Sequence, residues 1–467
     1  MGAVGAGHGR GSMEPAPVPA ADPSRLPRHL GVWNGGLLLV TGVIGVGILQ
    51  SPSVVVRNTG SMALAYGVWL VGAVVAVCGA LVMAELASRM PRSGGTAVFL
   101  RETFGPRVSF LFAWTAIFLL PVATAAIMLV SVRNLGEVFG FGEGAQTLLA
   151  LGWVGGITLL NIRSSRVVAR IVGGVGILKV SVLAAVVLLC LSGGGAAAAG
   201  PAAAVPVIES PWIGFGLALT ATMFAYEGWD GLSLVAGEVK DPRRTLPRAT
   251  LLGMGIILTV YLAVNAGFFR ALPLDQIAST PALAATAVGR VLGENTGRFL
   301  TLFIACSAAT TVFGSLLCNP RIIFALAEEE PAFRRAAFIH PRWRTPVVAI
   351  AIYGGLVMAY IASGGGFERL TRYMVLGLLP FYALAACAAV VARRRGVAGP
   401  QGAFPMPLYP LPVVLMLVYV ACGLASGLAG DFVAACGGLV IIAAGAVVYQ
   451  VVRRRPGGAA ISPSGLR

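Results

Sequence analysis

Apolar positions in this chain fall in long uninterrupted runs, not in the stripes three or four residues apart that mark a helix half in water. The runs lie at about 31–56, 62–88, 107–132, 145–162, 167–192, 211–237, 247–270, 296–327, 345–363, 370–392, 408–428 and 432–452. Most reach the roughly 20 residues a helix needs to cross a bilayer. Twelve such runs predict an all-α polytopic membrane protein with 12 transmembrane helices, and an even number puts both termini on one side.

Composition agrees with that pattern. Hydrophobic residues make up 57% of the 467 and charged residues 11%, with a mean hydropathy of +0.86. The net charge of +16 would suggest nucleic acid only if a soluble domain carried it, and no stretch is polar enough to be one. Its distribution has another cause. About 26 of the lysines and arginines fall in the N-terminal tail and alternate loops, against about 7 in the opposite loops, and basic loops stay in the cytoplasm. Both termini are therefore expected to be cytoplasmic. Residues 1–30, rich in Gly, Ala and Pro, are expected to be a disordered cytoplasmic tail, and 453–467 a second one. The first run is too long for a cleaved signal peptide. Ser192 to Ala204 reads as a flexible external loop. The seven cysteines lie almost all within runs, where a thiol is a small apolar filler, so no disulfide framework is expected.

Two runs are interrupted, and an interruption at membrane depth is informative because unpaired backbone groups in hydrocarbon cost several kcal/mol. The first run holds Gly42, Gly45 and Gly47, followed by Pro52. Small residues there could equally serve close helix packing. The sixth run contains Phe224-Ala225-Tyr226-Glu227-Gly228-Trp229-Asp230-Gly231, which sets two carboxylates and two glycines in an apolar segment. Breaks in runs one and six correspond if the chain holds two five-helix repeats, the pattern of a midplane site in an inverted-repeat transporter. Such breaks free amides at one half-helix end and carbonyls at the other, a pair suited to a zwitterionic amino acid.

These motifs resemble the amino acid, polyamine and organocation transporter superfamily, and within it the L-type amino acid transporter branch. Gly42 to Leu49 and Phe224 to Asp230 are joined by Glu85 to Gly95 in the first cytoplasmic loop, Glu238 to Arg248 after the sixth run, Asn319 to Ala327 at the end of the eighth, and Thr345-Pro346 before the ninth. The resemblance covers about residues 30 to 455 and implies a LeuT-like fold, a 5+5 inverted repeat with two appended helices. The repeats would span 31–192 and 211–393, and the appended helices 408–452. It also implies roles. Amides of Gly45, Val46 and Gly47 would hold the substrate carboxylate, and carbonyls of Val43, Phe224, Ala225 and Glu227, beside Gly228, its α-amino group. Phe224 would close over the substrate as a gate. Val46 departs from the small residue usual at its position; it keeps the amide but loses a hydroxyl bond worth about 0.5 to 1.5 kcal/mol. Thr96 and Ala97 depart in the first loop.

Three charges are candidates for coupling. Lys179 sits in the middle of the fifth run, about nine residues or some 13 Å beyond Arg170, too deep for its head to reach the interface. In the L-type branch a lysine here occupies the place of a sodium ion, which implies sodium-independent transport; a buried lysine could instead carry a proton. Glu227 and Asp230 have three open roles: binding a cationic side chain, carrying a proton, or bracing the unwound segment. Glu85 and Glu238 are expected to form structural or gating salt bridges.

No enzymatic constellation is present. His8, His29 and His340 lie outside the runs and no phosphate-binding Gly-Lys-Ser/Thr loop appears, so neither a metal site, a cofactor nor ATP hydrolysis is expected. Arg133 to Gly144 has no cysteine, so the disulfide-linked heavy chain of animal relatives is not expected. The expected function is a sodium-independent transporter of neutral L-amino acids in the cell membrane, contacting membrane lipid and no nucleic acid. A proton-coupled permease for cationic amino acids or polyamines, and a channel or non-transporting sensor on the same scaffold, are the alternatives.

Overall fold

The computed structural model describes residues 26–192, 210–280, 283–363, 367–397, 403–430 and 432–454. The first apolar run folds as two helices, α1 (Val32–Val43) and α2 (Gly47–Thr59), bent by 46° where Ile44 turns extended. Next come α3 (Met62–Arg89), α4 (Thr96–Phe104), α5 (Pro106–Phe139), α6 (Glu143–Arg163) and α7 (Ser165–Ser192). The sixth run is also broken, into α8 (Pro211–Tyr226) and the single turn α9 (Gly231–Leu234). The remainder comprises α10 (Pro242–Ala271), α11 (Leu274–Ser279), α12 (Leu283–Leu292), α13 (Glu294–Cys318), α14 (Pro320–Glu329), α15 (Val347–Ala362), α16 (Phe367–Arg394), α17 (Leu411–Gly430) and α18 (Phe432–Arg454). Proline occupies the first turn of α5, α8, α10 and α14, where its missing N–H costs nothing. Gly60 and Gly140, in left-handed conformation, end α2 and α5.

Every expected run coincides with a helix or a broken helix, and the outer surface carries exposed Leu148, Leu159, Leu188 and Val440, suited to lipid rather than water. By length and apolarity, eight described helices can cross a membrane, or nine with α1 and α2 taken as one span. Val347–Ala362 and Cys436–Val452 are shorter apolar helices, so the expected twelve exceeds what length alone counts. Three short helices, α4, α11 and α12, lie where the sequence suggested loops. The eighth run divides at Asn319, because Pro320 removes an amide from the ladder. The expected external loop lies mostly outside the described residues.

Around the broken segments the packing is intimate. α1 lies against α7 and α10, α2 against α8, and α5 against α13 and α16. Two buried acidic residues fasten the side from which α1 begins. Glu85 accepts from Arg89, from two nitrogens of Arg393 at 2.8 and 2.6 Å, and from the Met406 amide at 3.0 Å, so α3, α16 and the segment leading into α17 meet at one carboxylate. Glu238 accepts from Arg321 Nε at 2.9 Å, both side chains being buried, and Arg321 also donates to Ser165 Oγ at 3.1 Å. The end of the expected N-terminal tail is held there too: the amides of His29 and Leu30 donate to the Glu238 carbonyl, and that of Lys240 to Leu30. Leu30 is buried, which gives this attachment an apolar anchor.

Candidate functional site

The two breaks face each other. A Cβ added to Gly47 would come within 2.6 Å of the Ala225 Cα, so the glycine lets the N-terminal end of α2 touch the C-terminal end of α8. Gly228, at φ +102°, turns the chain away after Glu227 and lies over Gly42 and Val43. The Tyr261 hydroxyl on α10 ties both ends, lying 2.8 Å from the Val43 carbonyl and 2.8 Å from that of Ala225. Ser51 Oγ donates to the Ala221 carbonyl at 2.9 Å. Among the described residues, nothing accepts from the amides of Gly45, Val46 or Gly47. They open α2, where unpaired N–H groups and the helix dipole favour an anion.

A cavity of about 100 Å³ lies against both breaks. Its walls include Val43, Gly45, Val46 and Gly47 from the first break and Phe224, Ala225, Glu227, Gly228 and Asp230 from the second. All eight residues expected to bind substrate therefore border one space, with Asp230 beside them. Val46 touches this space yet packs its side chain with Ile127, Val130 and Ala308, so the bulk of its departure is taken up by α5 and α13. Phe224 is half-buried at the wall. The cavity reaches Leu38 and Leu39 of α1, Leu234 of α9, and Cys318 and Asn319 at the end of α13. Those residues lie on the side of the breaks from which α1 begins.

Lys179 is not on the wall. It is buried behind the first break, where its ammonium donates to the carbonyls of Ile44 (2.9 Å) and Thr41 (3.3 Å) and to Thr311 Oγ1 (2.8 Å). The carbonyl end of α1 thus receives the Lys179 amine. The second carboxylate pair differs: Glu227 accepts from Tyr382 Oη at 2.5 Å, and Asp230 has no ion pair among the described residues.

Several wall and support residues escaped the sequence reading. Tyr261, Thr311 and Tyr382 act through partners more than 35 residues away, and tyrosines within apolar runs look like ordinary core. Thr124 and Asn319 line the cavity and both bond the Tyr353 hydroxyl, at 2.8 and 2.7 Å. The Asn-Pro pair, a break within a run, was the available signal for Asn319. Among the described residues no cluster of His, Cys, Asp and Glu could hold a metal ion.

A family model described as amino acid permease matches residues 30–446. The chain belongs to the amino acid permease family. Within the amino acid, polyamine and organocation superfamily this permease falls with the L-type branch. It is 28% identical over 437 residues to the serine/threonine exchanger SteT of Bacillus subtilis, covering 92% of this chain and 98% of that protein. It is similar to the human cystine/glutamate transporter (28% over 379 residues, 79% and 75% covered) and to the mouse Asc-type amino acid transporter 1 (27% over 444 residues, 92% and 82%). The permease is accordingly a multi-pass membrane protein of amino acid transport, in a family of transporters and not of enzymes.

Proposed function

We propose that this permease moves neutral L-amino acids across the cell membrane without sodium, by alternating access around the paired breaks. The observation that carries this reading is the meeting of both breaks at one cavity, with unpaired amides on one side and carbonyls and a carboxylate on the other. The amides of Gly45, Val46 and Gly47 take the substrate carboxylate, and the opposite break takes the ammonium. A space of about 100 Å³ suits a small side chain, since engineered cavities of roughly 150 Å³ admit benzene. Lys179 provides the positive charge that a coupling cation would otherwise bring to Thr41, Ile44 and Thr311, which is the ground for sodium independence.

In this mechanism substrate bridges α2 and the end of α8, favouring the state in which Phe224 lies over it. Twelve spans form two inverted repeats, 31–192 and 211–393, followed by 408–452, with both tails cytoplasmic. The cavity's extension toward Leu38 and Asn319 is then access from the cytoplasm. The absence of cysteine from Arg133 to Gly144 supports function without a disulfide-linked heavy chain.

The second reading, a proton-coupled permease for cationic amino acids or polyamines, is favoured by Glu227 and Asp230 on the wall, where no Lys, Arg or His stands among the lining residues. Uptake of labelled L-amino acids into proteoliposomes, empty or preloaded, with and without sodium and a pH gradient, separates the two. Trans-stimulated uptake of a neutral amino acid without sodium is expected. Uptake only of cationic amino acids, driven by a proton gradient, would replace the first reading with the second.

A further inference from the structure

The ammonium of a substrate needs acceptors, and most carbonyls at the breaks are already engaged. Those of Val43 and Ala225 compete for the single proton of the Tyr261 hydroxyl. That of Phe224 accepts the Glu227 amide at 3.2 Å. Thr41 and Ile44 face Lys179. The Glu227 side chain is different: Tyr382 donates to Oε1 at 2.5 Å, and no described group donates to Oε2. Backbone conformation brings Glu227 to the cavity wall, because it leaves the end of α8 extended, at φ −55° and ψ 140°, and Gly228 then reverses the chain.

Tyr382 comes from α16, a helix distant in sequence from both breaks. Its ring lies 5.2 Å from that of Trp229, which is buried against α3 at Gly79, so the phenol is fixed on two sides. A hydrogen bond this short fixes the orientation of the Glu227 carboxyl group. Position favours the α-ammonium over a side-chain amine. Glu227 is two residues beyond Ala225, which touches Gly47, and the two charges of a zwitterion are only a few ångströms apart.

We infer that Tyr382 is a positioning residue: it orients the Glu227 carboxylate so that Oε2 accepts the substrate's α-ammonium, in place of a purely carbonyl-lined subsite. The inference rests on the amino acid reading above and deepens it. Every amino acid the permease carries then depends on this pair, whatever its side chain.

The test is a double-substitution cycle in proteoliposomes, with KM and kcat measured separately for the best neutral amino acid and for a cationic one. Wild-type uptake comes first; its failure would sink the transport reading, a result distinct from those below. Tyr382→Phe keeps the ring against Trp229 and removes only the donor. It is expected to raise KM roughly ten-fold, the scale of a hydrogen bond to a charged group, with kcat changed less than about two-fold. In a Glu227→Gln background the same change should alter KM by less than about two-fold. An equal effect in both backgrounds would reduce Tyr382 to packing and overturn the inference. A fall in kcat at unchanged KM would do the same, as would a loss confined to the cationic substrate. Should the double variant not fold, thermal stabilisation of Tyr382→Phe by the neutral amino acid in detergent decides: a midpoint shifted about ten-fold supports the pair, and an unshifted one overturns it.

Discussion

The ammonium of Lys179 donates to the carbonyl of Ile44 across 2.9 Å, so a side chain from α7 caps the broken end of α1. Two partners 132 and 138 residues away, Thr311 and Thr41, complete the cradle. One amine therefore binds α1 to α7 and α13 at the point where the first break begins.

Lys179→Met keeps much of the chain length and removes the charge. Transport is expected to fall by at least roughly ten-fold, since three hydrogen bonds from a charged donor disappear, while the protein still inserts. In the wild type, replacing sodium by choline should leave counterflow unchanged. Full activity in the methionine variant would remove the lysine from the mechanism.

Gly47→Ala tests the contact between breaks more sharply than a large residue would. A single methyl group meets the Ala225 backbone at 2.6 Å, which a rigid backbone cannot give up. Substrate-dependent thermal stabilisation should vanish. Retained affinity would show that the two ends separate freely and that the anion site lies elsewhere.

The buried Arg321–Glu238 pair makes an asymmetric prediction. Arg321→Met leaves Glu238 buried without its partner and should cost about 3–5 kcal/mol, seen as a lower melting temperature. Adding Glu238→Leu should restore most of that stability. If the double variant is as unstable as the single, the guanidinium's bonds to Ser165 and Leu317 matter more than the ion pair.

Phe224→Ala is expected to slow exchange several-fold without a comparable loss of stability, because the ring is only half-buried at the cavity wall. Counterflow rates and melting curves of the same preparation separate the two effects; normal exchange would count against a gate.

Much of this arrangement could be read from residues that offend their surroundings. Glycines, a proline and two carboxylates interrupt apolar runs, and Lys179 stands out in another, so both breaks and the buried cation were visible. Their partners were not. Thr311, Tyr261 and Tyr382 fit an apolar helix without strain, and only the folded chain brings them to Lys179, Ala225 and Glu227. Helix α4 was hidden for a related reason. Its nine residues are too few for a span, and their mixed polarity reads as a loop until Phe99 and Leu100 are seen buried against α5.

Glu85 carries a mechanical consequence. A carboxylate gripped by Arg89, Arg393 and the Met406 amide behaves as a rivet, and riveted parts share one lever arm. When the broken helices swing, α3, α16 and the start of α17 should travel as a single piece. Spin labels near the Glu85 end of those three would keep fixed separations through the cycle, while their distances to α1 lengthen and shorten.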